Sequence, residues 1–221
     1  MWCIPKLNEE YIKRMEDVLR IYKKPLNSFE PVVCLDEKPL VLHGEVRPLI
    51  QAKSGSIRKR DSEYKRLGTA NAFIAVLPKA GIRHVQVTAR RTAKDFAEFL
   101  NKIANKYRNA KRIYLIMDNL NTHKEKSLID RYGKERGQKI WRRFKVHYTP
   151  PHGSWLNMAE LELSVMSRQA IGKFRFSDID LIDKQLSSWN IARNKIKAKI
   201  DWTFTAKDAR KIFKYEPVNV I

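Results

Sequence analysis

The stretch RIYLIMDN, Arg112–Asn119, reads as a buried strand stopped by a carboxylate. Its apolar run, Ile113 to Met117, is short for a helix and leaves no polar face, the pattern of a strand covered on both sides. Asp118 then stands at the C-terminal end, where open α/β sheets gather their ligand sites. PVVCLDEKP, residues 31–39, repeats the arrangement as a short buried strand ending in Asp36 and Glu37. One aspartate at a strand end need only start a turn. Two of them, each ending a buried strand, ask for a further reason, because strand interiors disfavour the residue.

Working outward, residues 8–24 place Tyr11, Ile12, Met15, Val18, Leu19 and Tyr22 on one stripe of a charged helix. ANAFIAVLP (70–78) and RHVQVTA (83–89) predict two strands joined by a turn at Lys79–Gly81. Thr92 and Asp95 form a capping box ahead of a helix whose Phe96, Phe99, Leu100, Ile103 and Tyr107 share a face. Residues 124–143 read as one or two basic helices, and KVHYT as another short strand. Asn157 starts a helix running to about Ile171, Ser177 caps a long one through Trp189, and a last short helix follows Thr205. Paired strands followed by alternating helices and strands predict an α/β fold with a mixed sheet flanked by helices.

The charge balance is lopsided: 45 Lys and Arg against 24 Asp and Glu, a net charge of +21. Such an excess points to a polyanionic partner, since each phosphate neutralised releases condensed counterions. Part of it lies in residues 52–66, a basic loop or hairpin in which Arg58, Lys59, Arg60, Lys65 and Arg66 are candidates for DNA backbone contacts. Cys3 and Cys34 make neither a disulfide framework nor a metal-ligand spacing. There is no apolar run long enough to cross a bilayer and no signal-peptide core, so a cytoplasmic location and no membrane partner are expected.

Hard oxygen donors such as Asp36 and Asp118 suit Mg²⁺, and a site of that kind wants a third carboxylate. HYTPPHGSWLNMAELE, residues 147–162, offers Glu160 and Glu162. Asn157 followed by Glu160 is also a capping-box pattern. Two residues on a helix are about 200° apart, so only one glutamate can face the aspartates. Periodicity does not choose between them.

The blocks VVCLDEKP, YLIMDNLNTH and HYTPPHGSWLNMAELELSVMSRQ resemble the signature blocks of bacterial DDE-type insertion-sequence transposases, more narrowly the insertion sequence 630 group of the mariner-like superfamily. WCIP at the start, GEVRP (44–48), GTANAF (68–73), RRTAKDFA (90–97) and DWTF (201–204) extend the resemblance over nearly the whole chain. It implies a ribonuclease-H-like fold. It also implies a catalytic and metal-binding triad of Asp36, Asp118 and Glu160, because the family's third acid follows the Leu-Asn pair, here Leu156-Asn157. The implied organisation is a helical lead-in over residues 1–30, a catalytic domain over 31–175, and a C-terminal helical extension over 176–221 packed on it. The stretch between Asp118 and Glu160 is longer than in mariner-like relatives, which an insertion in 124–143 accounts for.

The resemblance further implies Mg²⁺-dependent cleavage at transposon ends and joining of 3′-OH ends to target DNA. Two ions, for which Mn²⁺ can substitute, would be bridged by Asp36 and held by Asp118 and Glu160. DNA and further copies of the chain on that DNA are the expected partners, in a bacterial nucleoid setting. Residues 1–30 are short for the helix-turn-helix modules of this group, so a split frame, a truncated copy or an excised domain is expected, with end recognition supplied by a separate protein. Asn119, Asn121, Asn157, Glu37 and Glu162 are candidates to support the metal ligands, and His123 and His152 to contact a DNA phosphate. Trp155 is either a base-stacking residue or a staple into the core. The competing functions are a stand-alone ribonuclease-H-like nuclease, a non-catalytic DNA-binding remnant, and, more remotely, a basic RNA-binding protein.

Overall fold

The computed structural model describes residues 7–172 and 174–216. The WCIP block and Cys3 lie outside them. Helix α1 (Glu9–Lys23) is followed by strand β1 (Val32–Glu45), β2 (Tyr64–Leu77), β3 (Ile82–Thr88), helix α2 (Ala93–Lys106) and β4 (Ile113–Met117). Helices α3 (Glu125–Tyr132) and α4 (Lys134–Trp141), strand β5 (Phe144–Tyr148) and helices α5 (Met158–Met166), α6 (Ile179–Lys195) and α7 (Ala206–Phe213) complete the order. Residues 124–143 thus form two helices, hinged at Gly133 with φ 82°. A π-turn over Ser167–Ile171 carries α5 on to the expected end at Ile171.

The five strands form one mixed sheet in the order β3-β2-β1-β4-β5. β1, β2 and β3 pair antiparallel, whereas β4 and β5 run parallel to β1. Strand periodicity sorts the side chains between two layers. Cys34, Ile74, Val76, Tyr114 and Ile116 face a core shared with α1, α5, α6 and α7. Val33, Leu35, Phe73, Ala75, Leu115 and Met117 face a second core closed by α2, α3 and α4. All of β4 is buried, as its sequence required. The stripe of α1 and the Phe96–Phe99–Leu100–Ile103 face of α2 are buried as their periodicity indicated.

The structure corrects several expectations. β1 does not end at its carboxylates: it is 14 residues long, and Asp36 and Glu37 lie inside it. Its parallel pairing with β4 covers only Val32–Cys34, whereas its antiparallel pairing with β2 runs on to Glu45↔Tyr64. Beyond β4, β1 and β2 therefore continue as a two-stranded ribbon, with a β-bulge between Leu42 and His43. Lys65 and Arg66 belong to this ribbon, the hairpin alternative of the loop or hairpin expected over 52–66. Arg58, Lys59 and Arg60 sit at its tip, where Ile50 and Lys59 form an isolated bridge. Arg175 braces it, donating to Glu45 Oε2 at 2.9 Å and to the carbonyls of Ser62 and Glu63 at 3.0 Å.

Two caps also differ. Asp178, not Ser177, caps α6, accepting from the Leu181 N–H at 3.0 Å, and Ser177 donates to the Asp178 carboxylate. Asn157 caps α5 through the Ala159 N–H, but Glu160 does not reach back to close a capping box. The Asn157 N–H is already donated to the Ser154 carbonyl at 2.7 Å, which leaves the glutamate nothing to accept. The Thr92/Asp95 box is present as expected.

Glu162 is buried between β3 and α6. Arg83 Nη2 of β3 donates to its Oε2 at 2.8 Å, Arg83 Nε lies 2.7 Å from Oε1, and Arg193 Nε of α6 donates to Oε1 at 3.2 Å. Arg83 also donates to the carbonyls of Gly81 and Ala198. With Arg83 at 0% and Glu162 at 1% exposure, the pair ties three elements together in a place where neither charge survives alone. Glu162→Ala is expected to cost about 3–5 kcal/mol of unfolding free energy, because it strands a buried guanidinium. Urea denaturation checks this, and a loss below about 1 kcal/mol would mean that water reaches Arg83.

Candidate active site

Asp36 and Glu37 are adjacent in a strand, so their side chains leave on opposite faces of the sheet. Asp36 lies on the α5 side. Asn157, at the start of α5, donates through Nδ2 to the Leu35 carbonyl at 2.9 Å and to Asp36 Oδ2 at 3.3 Å, pinning the helix to β1. Glu160 is one turn further on and exposed, and Asp118 follows β4. The Asp36 carboxyl is pushed up to about 7, above all by burial and then by the charges of Glu160, Glu37 and Asp118, against the pull of the Glu37 N–H that donates to it. Three further carboxylates thus act on a half-buried aspartate, an accumulation of negative charge that calls for a cation.

On the α2 side, His123 is buried at 1% exposure between two acids. Its Nδ1 is 2.6 Å from Asp118 Oδ1, and its Nε2 is 3.3 Å from Glu37 Oε2. Phe96 packs on the ring with centroids 4.6 Å apart. Burial pushes the imidazole down, but Asp118 and Glu37 outweigh it and hold His123 up to about 9. The contact to Glu37 is close without being aligned as a hydrogen bond, and Glu37 Oε2 has no other partner. His123 therefore holds the Asp118 carboxylate from a buried position, and at 1% exposure it is not open to the DNA phosphate it was a candidate to contact.

The donor set fits a divalent cation by its chemistry: hard carboxylate oxygens, and an aspartate that burial and neighbouring acids leave reluctant to ionise without a cation beside it. The side chains stand as a loose cluster, since among the described residues no three His, Cys, Asp or Glu groups close on a common point at ligand distance.

The other candidates are dispersed. Glu162 is taken up by Arg83 and Arg193 and is not among the charges that act on Asp36. Asn119 and Asn121 are exposed on the loop after β4, where Asn121 Oδ1 accepts from Lys124 at 3.4 Å. His152 is exposed with φ 59°, a left-handed turn conformation. Arg58, Lys59, Lys65 and Arg66 are exposed on the ribbon, and Arg60 lies 3.3 Å from Glu45. Trp155 packs edge-on against Phe204, centroids 5.5 Å apart, and donates to the Tyr11 hydroxyl: it is the core staple, not a stacking platform.

One residue of the site's frame carried no sequence signal. Tyr22 of α1 read only as part of an apolar stripe. Its buried hydroxyl donates to the Leu156 carbonyl at 2.6 Å and accepts from the Met158 N–H at 3.3 Å, spanning Asn157 from both sides. Cys34 lies beneath it at 3.5 Å, its thiol pushed up to about 12 by burial and so inert. Tyr22→Phe removes one partner from each of two buried backbone groups and is expected to cost about 1–3 kcal/mol. Thermal unfolding of the variant measures this, and an unchanged midpoint would show that the hydroxyl does not hold the start of α5.

The family model described as DDE superfamily endonuclease matches residues 31–183. No curated protein matches the chain. Among solved structures, the chain is similar to the Mos1 strand transfer complex, with a TM-score of 0.59, 16% identity, and coverage of 90% of this chain and 59% of that one. The Mos1 mariner paired end complex with Mn gives a TM-score of 0.54 at 16% identity, covering 90% of this chain and 60% of that one. The corresponding complex with Mg gives 0.54 at 15% identity, covering 97% and 62%. The chain thus spans about three fifths of the length of these transposases. The likeness makes the fold ribonuclease-H-like.

Proposed function

The chain belongs to the DDE superfamily endonucleases, and on that premise we propose that it is the catalytic core of a DNA transposase of the insertion sequence 630 group. The observation that carries the reading is the electrostatic meeting of Asp36, Asp118 and Glu160, contributed by β1, the end of β4 and the first turn of α5. Asp36, Asp118 and Glu160 would hold two divalent cations, Mg²⁺ or Mn²⁺. When bound, these supply charge neutralisation at a scissile phosphate and a hydroxyl nucleophile at neutral pH. The use of Mn and Mg by the Mos1 paired end complexes supports the choice of metal.

The chain's own residues do the rest. Asn157 fixes Asp36 to the start of α5, His123 holds one oxygen of Asp118 and leaves the other free, and Tyr22 holds the backbone on both sides of Asn157. The exposed Arg58, Lys59, Lys65 and Arg66 of the ribbon would take phosphates of the bound DNA. The reaction would cut at transposon ends and join the 3′-OH ends to target DNA. The Mos1 complexes with paired ends support an assembly of two or more copies on DNA. Residues 31–175 would form the catalytic unit, with residues 1–30 leading in and 176–221 packed on it.

A duplex carrying the element's terminal repeats, incubated with Mn²⁺ or Mg²⁺, is expected to be nicked and then joined to a second duplex. Asp118→Ala and Glu160→Ala are expected to lose more than about 100-fold in rate, beyond what changes to supporting residues cause. Glu162→Gln is expected to keep cleavage at a temperature where it remains folded. Cleavage retained by Glu160→Ala would overturn the assignment of the third acid. Hydrolysis with no joined product would instead favour a stand-alone nuclease.

A further inference from the structure

A basic track leads from the acid cluster over α2. Arg91, exposed just before α2, brings Nη1 to 3.8 Å from Glu37 Oε1, and so touches the cluster's buried edge. Lys94 lies three positions on, in the first turn of α2. It shares with Ser127, Asp130 and Arg131 of α3 an open groove of about 400 Å³. Arg131 and Arg136 then both lie over the Tyr132 ring, at 5.4 and 4.8 Å from its centroid. That places one cation at the end of α3 and the next at the start of α4. The four cations follow one another from Glu37 across α2 to the α3–α4 hairpin: Arg91 and Lys94 by their closeness in sequence, Lys94 and Arg131 by a shared groove, and Arg131 and Arg136 by the Tyr132 ring.

The hairpin that carries the far end is rigid. Gly133 makes its hinge at φ 82°, and a Cβ on Gly137 would lie 2.7 Å from the Ile129 backbone, so the two helices pack closer than any larger residue allows. Their outer surface is mostly basic: Lys124, Lys126, Arg131, Lys134, Arg136, Lys139 and Arg142 are exposed, against Asp130 and Glu135. Nearby acids are occupied at home. Asp95 closes the cap of α2 and Glu98 pairs with Arg131 at 2.8 Å.

We infer that Arg91, Lys94, Arg131 and Arg136 form a second DNA-backbone track, which holds duplex DNA as it passes out of the acid cluster over α2 and the α3–α4 hairpin. This rests on the transposase reading, which requires a phosphodiester at the cluster. A polyanion that passes the cluster and leaves on this side meets four exposed cations, of which Arg91 and Arg131 each have one acid nearby, Glu37 and Glu98, and would exchange it for a phosphate. Two of the guanidiniums are held over an aromatic ring, so less freedom is lost when they bind a phosphate.

Binding to a fluorescein-labelled duplex of random sequence, measured by anisotropy in EDTA over a range of salt, separates the track from catalysis. The variant Arg91→Ala/Lys94→Ala/Arg131→Ala/Arg136→Ala is expected to bind at least about tenfold more weakly, its slope of log affinity against log salt falling by about 3 to 4. Lys184, Lys195, Lys199 and Lys207, exposed on or beside α6 and α7 in the other layer, serve as the control, and their replacement by Ala is expected to change the slope by less than about one. In the wild-type chain Lys94 should be protected from amine acetylation by bound duplex while Lys184 is not, a readout that needs no variant to fold. A wild-type slope in the track variant, an equal loss in the control, or an unprotected Lys94 would each overturn the track alone. A wild-type chain that binds no duplex would remove the transposase reading with it.

Discussion

The acid cluster depends on β1 parting from β4 after Cys34. Up to that residue β1 is a central strand with neighbours on both sides. Past it, β1 keeps only β2 and runs on as a ribbon. The parting opens a gap at the C-terminal end of β4, the place where open sheets bind ligands, and Asp36 faces into it. Were the parallel pairing to continue, a charged residue at this position would be sealed under a helix layer without a partner, at a cost of several kcal/mol. Because it stops, Asp118 and Glu160 lie within electrostatic reach of Asp36.

From the same parting come two consequences on opposite faces. Consecutive carboxylates in an extended strand must diverge, so Asp36 turns to α5 and Glu37 to His123 and Arg91. Each face then has its own means of holding an acid in place. On one, Asn157 joins the α5 cap to Asp36 with Tyr22 steadying the backbone behind it. On the other, His123 bridges Glu37 and Asp118 beneath Phe96. Helix α5 does two jobs by the same geometry: about 200° separates Glu160 from Glu162, which exposes the first and commits the second to Arg83.

Much of this was legible in the chain. The buried run of β4, the stripes of α1 and α2, the Thr92/Asp95 cap and the alternation of helices and strands are local patterns, and local patterns survive folding when one face must be hidden. Boundaries were less legible. The strand carrying Asp36 was expected to stop at its carboxylates because nothing in PVVCLDEKP shows that β2 would continue to pair with it. His123 read as a surface histidine because its burial depends on Phe96 and Glu37, distant in sequence. Glu160 and Glu162 could not be ranked from periodicity, since what distinguishes them is the ion pair of Glu162 with Arg83, on a different strand.

Charge, period and the order of elements are properties of the chain itself, so the sequence alone determined a basic α/β protein with an aspartate following each of two buried apolar runs. Partner choice is a property of the folded molecule. Which glutamate is taken into a buried ion pair, which histidine is buried behind an aspartate, and where β1 leaves β4 were decided only by tertiary structure. An ionised group in the interior is stable only beside a partner that the fold brings from elsewhere in the chain.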